Sequence, residues 1–200
     1  MSDFKIIHPQ LGAVPVSSTG TDLLLPLGYK ADAQDIQSGS TNLGCGRFVY
    51  VVGVASNASS PVKGDLVIFK GNTVQKAGMA SSASYLPVGI AAGSISGTNV
   101  YGWVQILGLC DYAKMENAST DTYLAGAGAA TAFIGSGTDG CMNTTQSATG
   151  AAIIGVGFPV AAAITLTGAS SVWSTASFSN MTVQLFYPQV RGGSASSVGM

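Results

Sequence analysis

The chain has 200 residues, of which 8% are charged, and a formal net charge of −1. Globular domains average ~25% charged residues. With no basic stripe, this balance argues against an electrostatic grip on nucleic acid. Residues 140–190 carry no Asp, Glu, Lys or Arg at all, whereas a free monomer keeps a charged, mixed surface to stay soluble. Such an exterior is expected to be covered by other subunits.

Residues 1–46 open with MSDFKIIHPQ, which has neither an apolar h-region nor a cleavage site, so no signal peptide is expected. The segment contains Pro9, Pro15 and Pro26 and few long apolar runs. It reads as an extended N-terminal arm with one strand, packed on the body or on a neighbour. An arm can lie along a partner or add a strand to its edge. Phe4, Ile6, Ile7 and Val14 are therefore the candidate partner-binding residues, and removing residues 2–16 should leave a folded body.

The pattern of an all-β body begins at residue 47 and runs to 190. RFVYVVGVA (47–55) is β-branched and aromatic and reads as a buried strand. GDLVIFKGNTVQKAG (64–78) reads as two strands joined by a two-residue primed turn at Gly71-Asn72. That turn sets Phe69 opposite Val74 and Val67 opposite Lys76 on a mainly apolar face. Ile68 and Gln75, Lys70 and Thr73 fall on a mixed one. Lys63, Lys70 and Lys76 form the only basic cluster, expected to be solvated lysines guarding a strand edge.

YLPVGIAAG (85–93) and VYGWVQILGLCD (100–111) continue the strands, and then the order starts again. TYLAGAG (122–128) stands where GDLVIFKG stood, AIIGVGF (152–158) echoes LPVGIAA, and MTVQLFYP (181–188) echoes GWVQILGL. The offsets are uneven, which leaves open both an internal duplication into halves 60–111 and 120–188 and a chance echo in a low-complexity chain. The fold class expected is all-β, a β-barrel or β-tulip-like body of short antiparallel strands. Residues 191–200 read as a flexible tail. The apolar stretch 151–169 is interrupted by Pro159 and three glycines and has no nearby cation to orient it, so it reads as buried β rather than a membrane span.

Reactive chemistry is hard to assemble from these residues. A nucleophile–imidazole site needs a histidine to move the proton, and His8, in the presumed arm, is the single one. Glu116 is the one glutamate; with Asp111 and Asp121 it falls in DYAKMENASTD, which reads as a polar connection between strands. GAGAAT (126–131) and GVGFPV (155–160) lack the last glycine of a dinucleotide loop. Cys45, Cys110 and Cys141 show no zinc spacing and read as reduced and buried. Trp103, Trp173, Phe178, Phe186 and Tyr187 suit core or interface anchors better than a stacking platform. No catalytic residue, metal or cofactor is assigned.

The order V-x-G-D-L-V-I-F…V-x-x-A-G, then L-P-V-G-I-A, then V-Q-I-L-G resembles the head decoration (cement) proteins of tailed bacteriophages. The residues that carry the likeness are Gly64, Asp65, Ala77, Val88, Gly89, Ile90 and Ala91, and it extends over roughly 60–190. The resemblance implies a non-enzymatic virion protein, made in the host cytoplasm. It would bind the major capsid protein on the outer capsid surface and bridge capsomers, with itself as homotrimer partner and no nucleic acid or membrane. The length and the long N-terminal portion depart from compact members. Phage fibres share the Gly/Ser/Thr-rich β style, so a tail or head fibre component that binds the host surface is the alternative.

Overall fold

The computed structural model describes residues 4–8, 12–36, 43–54, 60–77, 86–116, 122–123, 132–134, 140–143, 152–157, 164–165 and 178–191. All regular elements among them are strands. In chain order they are β1 (Phe4–His8), β2 (Gly12–Pro15), β3 (Lys30–Asp35), β4 (Cys45–Gly53), β5 (Leu66–Lys70), β6 (Thr73–Lys76) and β7 (Val88–Ala91). There follow β8 (Tyr101–Glu116), β9 (Thr122–Tyr123), β10 (Ala132–Ile134), β11 (Met142–Asn143), β12 (Ala152–Gly157), β13 (Ile164–Thr165) and β14 (Phe178–Arg191).

The β5–β6 hairpin has the register its turn dictates. Phe69 faces Val74, Val67 faces Lys76, Ile68 faces Gln75 and Lys70 faces Thr73. Gly71 takes φ 65° while Asn72 keeps a negative φ, the pattern of a type II′ turn. Both faces of β5 are buried, however, not one. Val67 and Phe69 point into one apolar cluster, and Leu66 and Ile68 into another.

Two clusters exist because the sheet closes. β4, β6, β5, β7 and β8 pair in that order and β8 returns to β4, making a ring of five strands. Four of its pairings are antiparallel and β4–β6 is parallel. Val49, Val51, Val67, Phe69, Val74, Ala91, Ile95, Val104 and Ile106 fill its interior. A second ring, β8, β11, β10, β12 and β14, closes in the same way. There too the second hairpin strand, β11, runs parallel to the strand that opens the ring, and the other four pairings are antiparallel. β8 belongs to both rings. The expectation of short antiparallel strands is thus corrected on two points: the sheet is mixed, and β8 and β14 span 16 and 14 residues.

The echoes in the sequence fall unevenly on this topology. β12 and β14 take the places in the second ring that β7 and β8 take in the first, as AIIGVGF and MTVQLFYP suggest. TYLAGAG does not match: β9 pairs with β13 in a separate two-stranded sheet, and β10 fills the β5 place. Asp111 and Glu116 lie within β8, not in a connection.

β8 passes from one ring to the other at Gly108. Its φ is 98°, and a Cβ there would lie 2.6 Å from the Cys45 carbonyl oxygen, so only glycine fits. The register against β4 slips beside this point, and Gln105, fully buried, spans the irregularity. Its Nε2 donates to the carbonyls of Leu107 (3.3 Å) and Leu109 (2.9 Å), and its Oε1 accepts from the Tyr112 hydroxyl at 2.7 Å. Every polar atom of that side chain is in use, as burial requires.

The N-terminal portion is corrected most. β3 pairs with β4, β1 with β3 and β2 with β1, so these three strands extend the same 12-stranded sheet and no break falls at residue 46. Phe4 and Ile6 are 2% and 3% exposed within the chain's own core, and Phe4 packs on Phe48 with ring centroids 5.4 Å apart. Neither is available to a partner. Val14 is half-buried on β2; Ile7 pairs with Ala13 through its backbone, and its side chain lies outside the described residues. β1 and β3 dock because Phe4, Ile6, Ala31 and Ala33 cover apolar surface on β4 that would otherwise face water. Residues 192–200, expected as a tail, lie outside the described residues.

Candidate interaction site at the mouth of the first ring

The first ring is plugged at one end and open at the other. Ile95 is fully buried and its amide donates to Pro61 O; its carbonyl approaches Gly53 so closely that a Cβ there would meet it at 2.4 Å. At the opposite end, Val49, Phe69 and Ile106 retain 7%, 8% and 7% exposure, while the rest of the ring core is at 0%. All three form the floor of a solvent-open cleft of about 350 Å³.

The walls come from three places in the chain. Gly28 and Lys30 approach from the start of β3, the Gly71-Asn72 turn from the hairpin, and Pro87, Tyr187, Pro188 and Gln189 from the crossing of β7 and β14. A Cβ on Gly28 would lie 2.8 Å from Asn72 Oδ1, so glycine lets the turn seat against this wall. Pro87 and Gln189 are joined by an isolated antiparallel bridge.

Tyr187 is the unusual member. It has φ 50°, a left-handed conformation that non-glycine residues seldom adopt, at a cost of roughly 1 kcal/mol or more. Aligning Val-Gln-Ile-Leu-Gly (104–108) with Val-Gln-Leu-Phe-Tyr (183–187) puts Tyr187 where the first pass has left-handed Gly108. A bulge accompanies it: Ile154 pairs with Gln189 and Val156 with Leu185, so Phe186, Tyr187 and Pro188 oppose Gly155 alone. The bulge turns the aromatic pair outward, leaving Phe186 59% and Tyr187 47% exposed. The Arg47 Nη1 donates to the Tyr187 hydroxyl at 2.8 Å, and the same guanidinium grips Asp32 through Nε (2.7 Å) and Nη2 (3.0 Å). The hydrogen bonds from Arg47 hold the Asp32 carboxyl below its usual range, and those to Asp32 and Tyr187 raise Arg47 further above its own. This latch fixes the displayed ring.

Other large apolar side chains stand in solvent: Leu23 and Leu24 (57% each), Ile36 (49%) and Tyr29 (37%). None was singled out from the sequence, where Leu23 and Leu24 look like ordinary core material. Of the aromatics named there, Trp103 is core, its ring tilted 53° against that of Tyr50 with centroids 5.0 Å apart. Trp173 and the Phe178 side chain lie outside the described residues.

Of the residues that carry the resemblance, Val88 lines the cleft and the others are scaffold. Asp65, 2% exposed, accepts from Lys114 Nζ at 2.6 Å and the Val62 amide at 2.8 Å, and Lys76 Nζ stands 3.5 Å away. Gly64, at φ 89°, lets β5 approach Tyr112 O, and Gly89 brings β7 onto β8, where a Cβ would strike Val104. The basic cluster disperses accordingly: Lys76 turns to Asp65, Lys63 lies over the Tyr112 ring at 5.1 Å, and Lys70 is exposed at the turn. β5 and β6 sit inside the ring and have no free edge to guard.

Chemically, the cleft can bind but is poorly equipped to react. Its lining has one cation and two carboxamides and no carboxylate, thiol or imidazole. Among the described residues no group of three or more His, Cys, Asp and Glu is placed to hold a metal. Cys45 is exposed, contrary to the sequence reading, while Cys110 and Cys141 are buried. Burial pushes the Cys110 thiol up to about 12, and the thiolate is the reactive form. One thiol per chain is therefore expected to react with a maleimide in native buffer and three after denaturation. Two or more reactive thiols in the native protein would contradict this placement. Comparison with protein-family models, curated proteins and solved structures returns no match.

Proposed function

We propose that the chain is a structural virion protein that binds the outer surface of a phage capsid and stabilises it by bridging capsomers as a homotrimer. The observation that carries this reading is the display of Leu23, Leu24, Ile36, Tyr29 and Phe186 to solvent by a chain with 8% charged residues. Aromatic and aliphatic side chains held rigidly at a surface are the usual anchors of protein interfaces. A sparsely charged exterior gives up water to a neighbour at little desolvation cost. The likeness of the Gly64–Ala91 motifs to head decoration proteins points to a capsid as the partner. Repetition over a shell supplies avidity, so each contact can be modest.

Electron microscopy of native particles labelled for this chain tests the proposal. Label distributed over the head is the expected result. Label restricted to the tail or to fibres would replace the proposal with the fibre reading, and particles lacking the chain would remove both.

A further inference from the structure

We propose that the cleft at the open mouth of the first ring binds a saccharide that carries a carboxylate, as uronic and sialic acids do. The inference is independent of whether the chain decorates a capsid.

The volume of about 350 Å³ lies at the lower end of the ~300–1,000 Å³ range of small-ligand sites, enough for one or two sugar rings. A pyranose offers an apolar C–H face and a rim of hydroxyls, and the cleft offers the complement of both. Val49, Phe69 and Ile106, each keeping 7–8% exposure, form an apolar floor. Tyr187 supplies a rigid aromatic wall, held in a strained backbone by Arg47. Asn72 and Gln189, both exposed, bring amide donors and acceptors to the rim.

The charge selects the kind of sugar. Lys30 faces Val49 across the β3–β4 ladder and so projects on the floor side of the sheet. It makes no salt bridge among the described residues, and no carboxylate lines the cleft to neutralise it. One uncompensated cation suits one carboxylate. A nucleotide would need several cations for its phosphates. A peptide that binds by adding a strand would need an open sheet edge, and here Pro87 and Gln189 are already bridged to each other.

The test is ligand-observed saturation-transfer NMR and titration of the full chain with sialyllactose and a hyaluronan-derived disaccharide, with lactose as the neutral control. Lys30 and Tyr187 are exposed, so Lys30→Ala and Tyr187→Ala should fold; circular dichroism checks it. The expected result is millimolar or tighter binding of at least one acidic sugar, weakened roughly fivefold by Lys30→Ala and lost in Tyr187→Ala. Lactose should bind no better to the wild type than to Lys30→Ala. No binding of either acidic sugar up to ~10 mM, which would also follow if a second copy covers the cleft, overturns the proposal. So does acidic-sugar binding that Lys30→Ala leaves unchanged.

Discussion

Replacing Asp65 by alanine is expected to lower the melting temperature by ~6–12 °C. The carboxylate is 2% exposed and holds Lys114 at 2.6 Å, the Val62 amide at 2.8 Å and Lys76 at 3.5 Å. Removing one member of a buried ion pair typically costs ~3–5 kcal/mol, because its partner is left uncompensated. The two lysines are about one-fifth exposed and can reach water, which places the loss near ~3 kcal/mol, or ~6–12 °C for a domain of this size. Asp65 also abuts Gly140, whose carbonyl accepts from Leu66 and whose amide donates to Ala77. The substitution therefore loosens the segment that leads into β11 and the second ring. Lys76→Ala, which removes the longer and more exposed contact, should cost under ~1 kcal/mol. A melting temperature for Asp65→Ala within 1–2 °C of wild type, ~0.5 kcal/mol on the same scale, would show that the pair does not tie the rings together.

Phe4→Ala is expected to cost ~3–5 kcal/mol, the usual range for emptying a buried aromatic site. Phe4 packs against Phe48 on the outer face of β4, with Ile6, Ala31 and Ala33 beside it. Removing residues 2–16 goes further: it deletes β1 and β2 and uncovers the outer face of β4. The truncated chain should aggregate or unfold early in urea, where an independent arm would leave the body intact. Val14→Ala, at a half-buried site, is the control and should cost under ~1.5 kcal/mol. Denaturant midpoints for the two substitutions decide the matter: equal midpoints would mean that Phe4 lies outside the core.

What the sequence reveals depends on how local the cause is. The β5–β6 register is legible because a two-residue turn at Gly71 fixes every pair beyond it. The burial of both β5 faces is not, since it follows from ring closure by β8, more than thirty residues away. β3, Lys-Ala-Asp-Ala-Gln-Asp, hides from propensity because its core face is two alanines and Asp35, and strand preference is mostly a matter of packing context. β8 is longer than its sequence suggests because the polar residues from Asp111 to Glu116 read as a connection and instead continue the strand against β14.

At the candidate site the balance is similar. The exposed aromatic pair had a visible signal: Phe186-Tyr187-Pro188 breaks strand alternation, and a proline inside a strand marks an edge or a bulge. Comparison with Val-Gln-Ile-Leu-Gly places Tyr187 on a glycine position, a second signal. Nothing local distinguishes the exposed Leu23 and Leu24 from the buried Leu25, and the cleft itself is assembled from segments 28–30, 71–72, 87–88 and 187–189. The motif residues Gly64, Asp65 and Gly89 are legible from sequence as special and turn out to serve close packing rather than binding.

On the proposed function, this low-charge exterior is covered in use by further copies of the chain or by a shell. Sedimentation of the purified full-length protein, alone and mixed with capsid shells lacking it, tests that most directly. A species at a multiple of the 20.0 kDa chain mass, or chain that pellets with the shells, is the expected result, with Leu23→Ser/Leu24→Ser weakening either association. A 20.0 kDa monomer that stays in the supernatant when shells are added would contradict it.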